Sequence, residues 1–253
     1  MLRAQRMDAI EAYVIEHRHA DLDRLCDVFS VSKNTIRRDI DEICQWGKIK
    51  KIYGGVCAAD KGELQPFHER DAESHDAKRK IAEAAASLVE DGDIIFVDAG
   101  TTTKHMAEHL VDRKNLTVLT NNLDFIVAAA PLKNLDIITL SGHLDRTTLS
   151  FSGGQAAGIL AMYNISKAFM GSPGISVENG ATSIYREEYE IKTVAVQRSR
   201  LKYLLVDSQK FDMASLLTFA ELKDFDALIT EGPLPEPYRK YMKAHKREVV
   251  VVK

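Results

Sequence analysis

The chain has 253 residues, of which 45% are hydrophobic and 28% are charged, and its formal net charge at pH 7 is -3. This is the composition of a globular protein with one or two domains, in which any basic surface for nucleic acid must be local. Three cysteines without paired spacing argue against a disulfide framework and a zinc site. No signal peptide or membrane span is evident, so we expect a cytoplasmic protein.

Three helical patterns open the chain. Apolar residues recur at helical spacing in three runs, namely Met7, Ile10, Val14; Leu22, Leu25, Cys26, Phe29; and Ile36, Ile40, Ile43. Ser32 is well placed to cap the third helix at its amino end. Only the residues SVS separate the second helix from the third, which is the spacing of a helix-turn-helix.

The basic side chains on the third predicted helix indicate contact with a negatively charged partner. Lys33, Asn34, Arg37 and Arg38 project away from the isoleucine stripe. Arginine can bond a guanine edge and asparagine an adenine edge in the major groove of DNA. The alternative is an ordinary solvated helix face. The short turn, the packing helix and a lysine-rich β-hairpin that follows in WGKIKKIYGGVCAA favour DNA binding.

A polar stretch, ADKGELQPFHERDAESHD, then separates the helical and hairpin patterns from a region in which strand and helix patterns alternate. We predict a DNA-binding domain over residues 1–57, a linker over 58–75 and an α/β domain over 76–253. Apolar runs of strand length alternate with helical stretches such as TTKHMAEHLV and YREEYEIKTVAVQRS, which indicates a mostly parallel sheet covered on both faces. The strand candidates are DIIFVDAG, LTVLTNN, LDIITLSG, KAFMGSPG, LKYLLVDSQK, ALITEG and EVVVVK.

The string VSKNTIRRDIDEICQWGKIKKIYGGV closely resembles the amino-terminal signature of the DeoR family of bacterial transcriptional regulators. The family shares a serine, a T-I-R-R-D core, a wing glycine and a closing Gly-Gly at this spacing, although Tyr53 stands where a histidine is common. The rest of the chain resembles the family's sensor domain, whose fold resembles ribose-5-phosphate isomerase. The resemblance implies a winged helix-turn-helix repressor of a carbohydrate-metabolism operon, relieved by a phosphorylated sugar or related metabolite.

The same resemblance implies a homo-oligomer, a dimer or tetramer, on double-stranded operator DNA. We expect Asp39 to form an intramolecular salt bridge, with Arg38 or a wing lysine, because phosphates would repel a carboxylate facing them. The residues expected to face DNA are Ser32, Lys33, Asn34, Thr35, Arg37, Arg38, Lys48, Lys50, Lys51, Tyr53, Gly54 and Gly55.

Polar residues follow several predicted strands, and ligands bind at the carboxyl edge of open α/β sheets. Asp98 and Gly100 precede three threonines and a predicted helix, a pattern that suits an anion such as phosphate or, alternatively, a plain threonine cap. The family resemblance adds Glu188 and Lys192 to the expected site. His143 stands where the family usually has a second glycine. The expected effector site is Asp98, Gly100, Thr101, Thr102, Thr103, Asn121, Asn122, Gly142, His143, Glu188, Lys192 and Lys210.

Two other functions compete with a repressor. A sugar-phosphate isomerase-like enzyme fused to a DNA-binding module would need a carboxylate base. The isomerase pattern places aspartates where this chain reads GSPGIS and a glutamate at Ile191, and both are missing. We therefore expect no enzyme, no catalytic residue, no cofactor and no metal. A carboxyl half that serves only assembly is disfavoured by the threonine-rich loop.

Overall fold

The structure, a computed structural model, describes residues 3–17, 19–47, 49–52, 55–58 and 67–252. The chain divides into two compact units, Met1–Glu63 and Leu64–Lys253, and each is described by itself.

The described part of the first unit contains helices and a small antiparallel sheet in the order β1-β3-β2. This confirms the three predicted helices and the hairpin, whereas strand β1 was not predicted because three residues are too few for a period of two to show. The elements are α1 (Arg3–His17), β1 (His19–Asp21), α2 (Leu22–Phe29), α3 (Lys33–Ile43), a 3₁₀ turn (Cys44–Trp46), β2 (Ile49–Ile52) and β3 (Gly55–Ala58).

The isoleucine stripe of α3 anchors this helix. Ile36, Ile40 and Ile43 are at most 2% exposed and pack with apolar residues of α1 and α2. Full burial of one such side chain contributes about 1.5–3 kcal/mol. The polar face of α3 must consequently point outward.

Asp39 is the exception on that helix, because its carboxylate turns inward to α1 and is only 1% exposed. Its Oδ2 accepts a hydrogen bond from Arg6 Nε at 2.7 Å, and its Oδ1 accepts one from Arg3 Nε at 3.3 Å. The expected intramolecular salt bridge is therefore present, but its partners are Arg3 and Arg6 rather than the expected Arg38, and the side chains of Lys48 and Lys50 lie outside the described residues. The packing of α3 on α1 places Arg3 and Arg6 of α1 within hydrogen-bond distance of this carboxylate.

The second unit is an α/β domain. Its described helices are α4 (Phe67–Ala72), α5 (His75–Ser87), α6 (Leu123–Ala129), α7 (Ala156–Leu160), α8 (Arg186–Arg198) and α9 (Glu236–Ala244), with 3₁₀ turns at Thr103–His109, Ser208–Lys210 and Leu222–Asp224. Its described strands are β4 (Ile94–Val97), β5 (Leu116–Thr120), β6 (Leu135–Thr139), β7 (His143–Asp145), β8 (Ser150–Ser152), β9 (Ile165–Gly171), β10 (Ile175–Ser176), β11 (Gly180–Ser183), β12 (Ser199–Leu205), β13 (Leu217–Ala220), β14 (Ala227–Glu231) and β15 (Glu248–Val252).

The seven predicted strand runs all lie in one parallel sheet, in the order β15-β14-β12-β9-β4-β5-β6. Its two faces are both buried, since Phe96 packs in one apolar cluster and Ile95 and Val97 pack in the other. Connections run outward in opposite directions from β4 and β9. In open α/β sheets the ligand crevice lies at the carboxyl ends of two such strands, so this rule points to the ends of β4 and β9.

Four parts of this unit differ from the sequence-based expectation. The stretch TTKHMAEHLV forms a 3₁₀ helix, Thr103–His109, rather than an α-helix. The hairpin of β7 and β8 and the sheet β10-β11-β13 were not predicted. The predicted linker ends in α4, where Phe67 is 1% exposed and its N–H donates to the Thr147 carbonyl at 2.8 Å. That part of the linker therefore packs as a part of the second unit.

Within the ranges described, no helix combines the length and apolarity needed to cross a membrane.

We expect Asp39→Ala to lower the free energy of unfolding of the first unit by about 2–3 kcal/mol. The substitution leaves Arg6, whose side chain is 14% exposed, without its buried carboxylate partner. Urea unfolding followed by Trp46 fluorescence measures this, since Trp46 is the single tryptophan of the sequence and lies in this unit. Asp41→Ala is the matched control, because its pair with Lys51 is exposed and should contribute less than about 1 kcal/mol. Equal losses in the two variants would contradict the assignment.

Candidate DNA-binding surface and effector site

A tight turn positions α3 for its predicted role. Ser30 adopts a left-handed conformation (φ 52°) after α2, and its N–H donates to the Cys26 carbonyl. Ser32 then caps α3, with its Oγ accepting from the Thr35 N–H at 3.3 Å, which confirms the predicted cap. The turn thus ends one helix and begins the next within three residues.

The exposed face of α3 carries the basic and amide side chains that the sequence predicted. Asn34, Arg37 and Arg38 are exposed, and neither arginine forms an ion pair with another described residue. Lys33 is exposed as well, with its Nζ 2.8 Å from Asp23 Oδ1. Thr35 is half-buried and bonds to Ser32. The arrangement leaves two guanidinium groups and one amide available to an external partner.

The wing is built on a close approach of two strands. Gly55 of β3 pairs with Asp21 of β1, and a Cβ at Gly55 would lie 2.3 Å from the Ala20 carbonyl oxygen. Gly55 is buried and permits this strand contact, and its expected contact with DNA stays a prediction. Lys51 is exposed and its Nζ lies 2.5 Å from Asp41 Oδ1. The expected contacts of Lys48, Tyr53, Gly54 and the Lys50 side chain lie outside the described residues.

A buried ion pair lies at the carboxyl ends of β4 and β9. Asp98 follows β4, and its Oδ2 accepts from Lys192 Nζ of α8 and from the Gly171 N–H at the end of β9, the latter at 2.9 Å. Lys192 also donates to the Gly171 carbonyl at 2.9 Å. Both charged side chains are at most 3% exposed. An ammonium group has three donors; two of those of Lys192 have oxygen partners among the described residues, and its Nζ also lies 5.2 Å from the centre of the Phe219 ring.

The loop after Asp98 is held from the neighbouring strand. Asn122 Nδ2 donates to the carbonyls of Asp98 and Gly100 at 3.3 and 3.1 Å, and Thr103 Oγ1 donates to the Asp98 carbonyl at 2.6 Å. The hydroxyls of Thr101 and Thr102 bond to no other described group, and neither do the backbone N–H groups of residues 100–103. The carbonyls of this loop are therefore held by hydrogen bonds, while its N–H groups and two of its hydroxyls have no partner among the described residues. Such a set of donors suits an oxygen-rich anion.

Glu188 lies one helical turn before Lys192 and is half-buried. Burial raises the pKa of its carboxyl above the usual range. The Lys192 ammonium opposes this rise in pKa, the Asp98 carboxylate adds to it, and the Arg70 guanidinium opposes it. The site therefore holds an acid that resists ionisation beside a paired carboxylate.

The structure joins Asp98, Gly100, Thr103, Asn122 and Lys192 through direct hydrogen bonds. The other expected members stand apart from this bonded group. Asn121 donates to the Phe151 carbonyl of β8 at 3.2 Å, and Gly142 and His143 lie exposed at the start of the β7–β8 hairpin. Lys210 follows β12. No hydrogen bond or ion pair between described residues links His143 or Lys210 to the Asp98 group.

Sequence reasoning missed the contribution of α4. Lys104, next to the loop, has its Nζ 2.7 Å from Asp71 Oδ2 and 5.2 Å from the centre of the Phe67 ring. Arg70 lies near enough to Glu188 to influence its pKa. The α4 residues Phe67, Arg70 and Asp71 are far from the loop in sequence and lie in a stretch with a linker's composition, so no local signal marks them.

The comparison with known families agrees with both halves of this geometry. Residues 6–61 match the DeoR-like helix-turn-helix domain, and residues 73–232 match the DeoR C terminal sensor domain. The chain belongs to the DeoR family. The resemblance predicted from the sequence is thereby confirmed, and the protein is a helix-turn-helix transcriptional regulator with an α/β sensor domain.

Full-length DeoR-family relatives align over nearly the whole chain. The HTH-type transcriptional regulator IolR of Bacillus subtilis is 41% identical over 244 residues, which cover 96% of this chain and 97% of IolR. The HTH-type transcriptional repressor GlcR of Bacillus subtilis is 29% identical, covering 91% of this chain and 89% of GlcR. The glycerol-3-phosphate regulon repressor of Escherichia coli is 27% identical and covers 93% of each chain.

Solved structures with partial likeness to this DeoR-family chain include ribose-5-phosphate isomerases, whose fold the sensor domain was expected to resemble. Ribose 5-phosphate isomerase A of Methanocaldococcus jannaschii aligns with a TM-score of 0.41 and 17% identity over 55% of each chain. The eIF2B delta subunit of Chaetomium thermophilum aligns with a TM-score of 0.44 and 15% identity, covering 79% of this chain and 63% of that one. Neither likeness bears on what this chain binds.

We expect Glu188→Gln to stabilise the sensor domain more at about pH 8 than at about pH 4, with the gain appearing between the unfolded-state pKa of Glu188 and its raised folded-state pKa. A folded-state pKa raised above the unfolded value of about 4.3 means that ionisation of Glu188 costs stability above that value, and glutamine removes this cost. Calorimetry at several pH values measures the difference in melting temperature between variant and native chain. Glu187→Gln, at the exposed neighbouring position, should show no such pH-dependent gain. A constant difference for Glu188→Gln across this range would contradict the raised pKa.

Proposed function

We propose that this DeoR-family regulator is a repressor of carbohydrate-metabolism genes. It binds double-stranded operator DNA as a dimer or tetramer in the cytoplasm, and a phosphorylated sugar or related metabolite in the sensor domain releases it. The observation that carries the proposal is the first part of α3, where basic and amide groups stand exposed over a fully buried isoleucine stripe. The expected end of the DNA-binding domain near residue 57 belongs to the same proposal, with the sensor domain taken to include α4.

In the DNA complex, α3 lies in the major groove with its amino end towards the bases. Arg37 and Asn34 reach base edges, since both side chains are exposed near that end. Each good contact of this kind supplies about 1–3 kcal/mol of discrimination between base pairs. Lys33 exchanges its Asp23 partner for a phosphate, and Ser32 and Arg38 contact the backbone. Phosphate contacts set the position of the helix, and base contacts set the sequence.

The effector site follows from the donors that have no described partner at the carboxyl edge of β4. They are the N–H groups of residues 100–103 and the hydroxyls of Thr101 and Thr102. A phosphoryl group brings three acceptor oxygens and negative charge, which match these donors. The half-buried Glu188 and the buried Asn121 supply acceptors for sugar hydroxyls. This division of roles suits a phosphorylated polyol.

Helix α4 offers the element through which the effector changes DNA affinity. It is the first described element of the second unit along the chain, and it contacts Lys104 beside the effector loop. An effector can shift an equilibrium only if it binds two states differently. A ligand that moves the loop alters the contact of Lys104 with α4, and the chain leading back to the first unit is altered with it.

The raised pKa of Glu188 is the one observation that favours an enzyme, because a general base works best with a pKa near the operating pH. Against it, Ile191 is 1% exposed and apolar where an isomerase would carry its glutamate. The Asp98 carboxylate is occupied by Lys192 and Gly171. Incubation of the purified chain with pentose and hexose phosphates, with isomer formation followed by NMR, should show no turnover, and turnover at enzymatic rates would overturn the repressor proposal.

We expect Arg37→Ala to abolish the preference for operator over random DNA and to leave the fold intact. The reason is that Arg37 is exposed and forms no ion pair with another described residue, so its loss removes base contacts and no internal ones. Competition gel shifts with the gene's upstream DNA and a scrambled duplex, at fixed ionic strength, measure the preference. Arg200→Ala, which removes an equally exposed arginine in the second unit, is the control and should bind like the native chain. Unchanged discrimination by Arg37→Ala would refute the assignment.

We expect a sugar phosphate that raises the melting temperature to lose at least about 10-fold in affinity in Thr101→Val/Thr102→Val. Each hydroxyl that bonds a charged phosphate contributes about 1.5–3 kcal/mol, and valine keeps the shape of threonine while removing the donor. A panel of triose, pentose and hexose phosphates, with inorganic phosphate alongside, is screened by thermal shift, and active compounds are tested for release of DNA in the gel shift.

Thr117→Val is the matched control for this pair, because Thr117 lies near the opposite end of β5 from the proposed site. It should bind the active compound as the native chain does. Equal affinity of the double variant and the native chain would place the effector elsewhere, and the absence of any active compound in the panel would count against a phosphorylated sugar.

A further inference from the structure

Three side chains with metal-binding chemistry meet where α4, α5 and the 3₁₀ helix Thr103–His109 come together. Asp71 lies near the end of α4, His75 opens α5, and His105 lies on the 3₁₀ helix. One ligand atom from each lies within 4.8 Å of the other two, and the two imidazole rings have centres 5.0 Å apart. The effector site assigned above uses none of the three.

The buried atoms at this junction lack partners. His105 is 5% exposed, and its Nε2 makes no hydrogen bond within the described part of the chain. It lies 3.8 Å from Asp71 Oδ1, an oxygen that is also buried and without a hydrogen bond there. Buried polar atoms are nearly always hydrogen-bonded, and 3.8 Å is too long for that bond. Two unsatisfied atoms that face each other at this distance indicate space for a third group that both can bind.

The opposite sides of the same two groups are occupied. His105 Nδ1 lies 3.5 Å from Glu108 Oε1, and Asp71 Oδ2 accepts from Lys104 Nζ at 2.7 Å. Metal-bound histidines and carboxylates have outer partners of this kind, which orient the ligand atoms. Here these partners orient Nε2 of His105 and Oδ1 of Asp71 towards each other.

We propose that Asp71, His75 and His105 bind a divalent transition-metal ion, with zinc as the best match. Two imidazoles and one carboxylate suit zinc and disfavour calcium or magnesium, which prefer oxygen ligands throughout. Ligand atoms around tetrahedral zinc lie about 3.3 Å apart, given bonds of about 2.0–2.2 Å. The present spacing, 3.8 Å between His105 Nε2 and Asp71 Oδ1 and at most 4.8 Å among the three ligand atoms, exceeds that value, so the side chains draw together when the ion binds. The fourth position is filled by water.

The ion joins segments that are distant in sequence. It ties the α4–α5 junction to the 3₁₀ helix that follows the effector loop, so it stabilises the folded second unit and holds α4 against it. The sequence suggested no metal because residues 71, 75 and 105 have no recognisable ligand spacing. This site goes beyond the repressor proposal, and it stands or falls independently of DNA and effector binding.

The test uses the full-length chain, freed of metal by dialysis against a chelator and titrated with Zn²⁺ by calorimetry and with Co²⁺ by visible absorption. We expect one Zn²⁺ per chain with micromolar or tighter affinity, a Co²⁺ spectrum typical of tetrahedral nitrogen and oxygen ligation, and a rise in melting temperature with Zn²⁺. His75→Ala and His105→Ala should each weaken Zn²⁺ binding by at least about 10-fold.

His245→Ala removes an exposed histidine from the end of α9 and should bind Zn²⁺ like the native chain. His75 is exposed, so its alanine variant tests the site without disturbing the core. Undiminished Zn²⁺ binding in both His75→Ala and His105→Ala would overturn the proposal, because the ion would then sit elsewhere, for example on the cysteines of the first unit. Absence of stoichiometric binding by the native chain would overturn it equally.

Discussion

Strand β4 is an apolar run between two buried aspartates, and each aspartate is neutralised by a lysine from a distant segment. Asp93 precedes the strand and has its Oδ2 2.7 Å from Lys167 Nζ, and Asp98 follows it and pairs with Lys192. A parallel sheet covered on both faces can hold charge only near the strand ends, and only in pairs, because an unpaired buried charge costs several kcal/mol. This constraint places the polar chemistry of the second unit at the sheet edges, and at the carboxyl edge it coincides with the divergence of β4 and β9.

The same constraint operates in the first unit at the scale of one helix. The isoleucines of α3 must be buried, and the polar residues between them are consequently presented to solvent. Asp39 is turned inward and is compensated by Arg3 and Arg6, so the carboxylate is removed from the surface that we propose to approach phosphates. The buried ion pair joins α3 to α1 and at the same time leaves the exposed face of α3 more positive.

The junction of α4 and α5 connects the effector loop with the part of the chain that precedes the sensor. Lys104 contacts Asp71 and lies over the Phe67 ring, while the adjacent His105 faces Asp71 and His75. One 3₁₀ helix thus has neighbouring residues in contact with α4 from two directions. The proposed ligand at the loop and the proposed ion at the junction would both contact residues of this 3₁₀ helix.

Sequence alone determined the elements whose signal is local. The spacing of the isoleucines, the Ser32 cap and the three-residue turn specify the helix-turn-helix, and the seven apolar runs specify the parallel sheet, because periodicity and capping depend on neighbours along the chain. Sequence also determined the family and the loop after Asp98. The tertiary structure alone decided which charges pair, that Gly55 packs against β1, that α4 belongs to the sensor, and that Asp71, His75 and His105 meet. These depend on contacts between residues far apart in the chain, whose geometry is set by packing and leaves no periodic trace in the sequence.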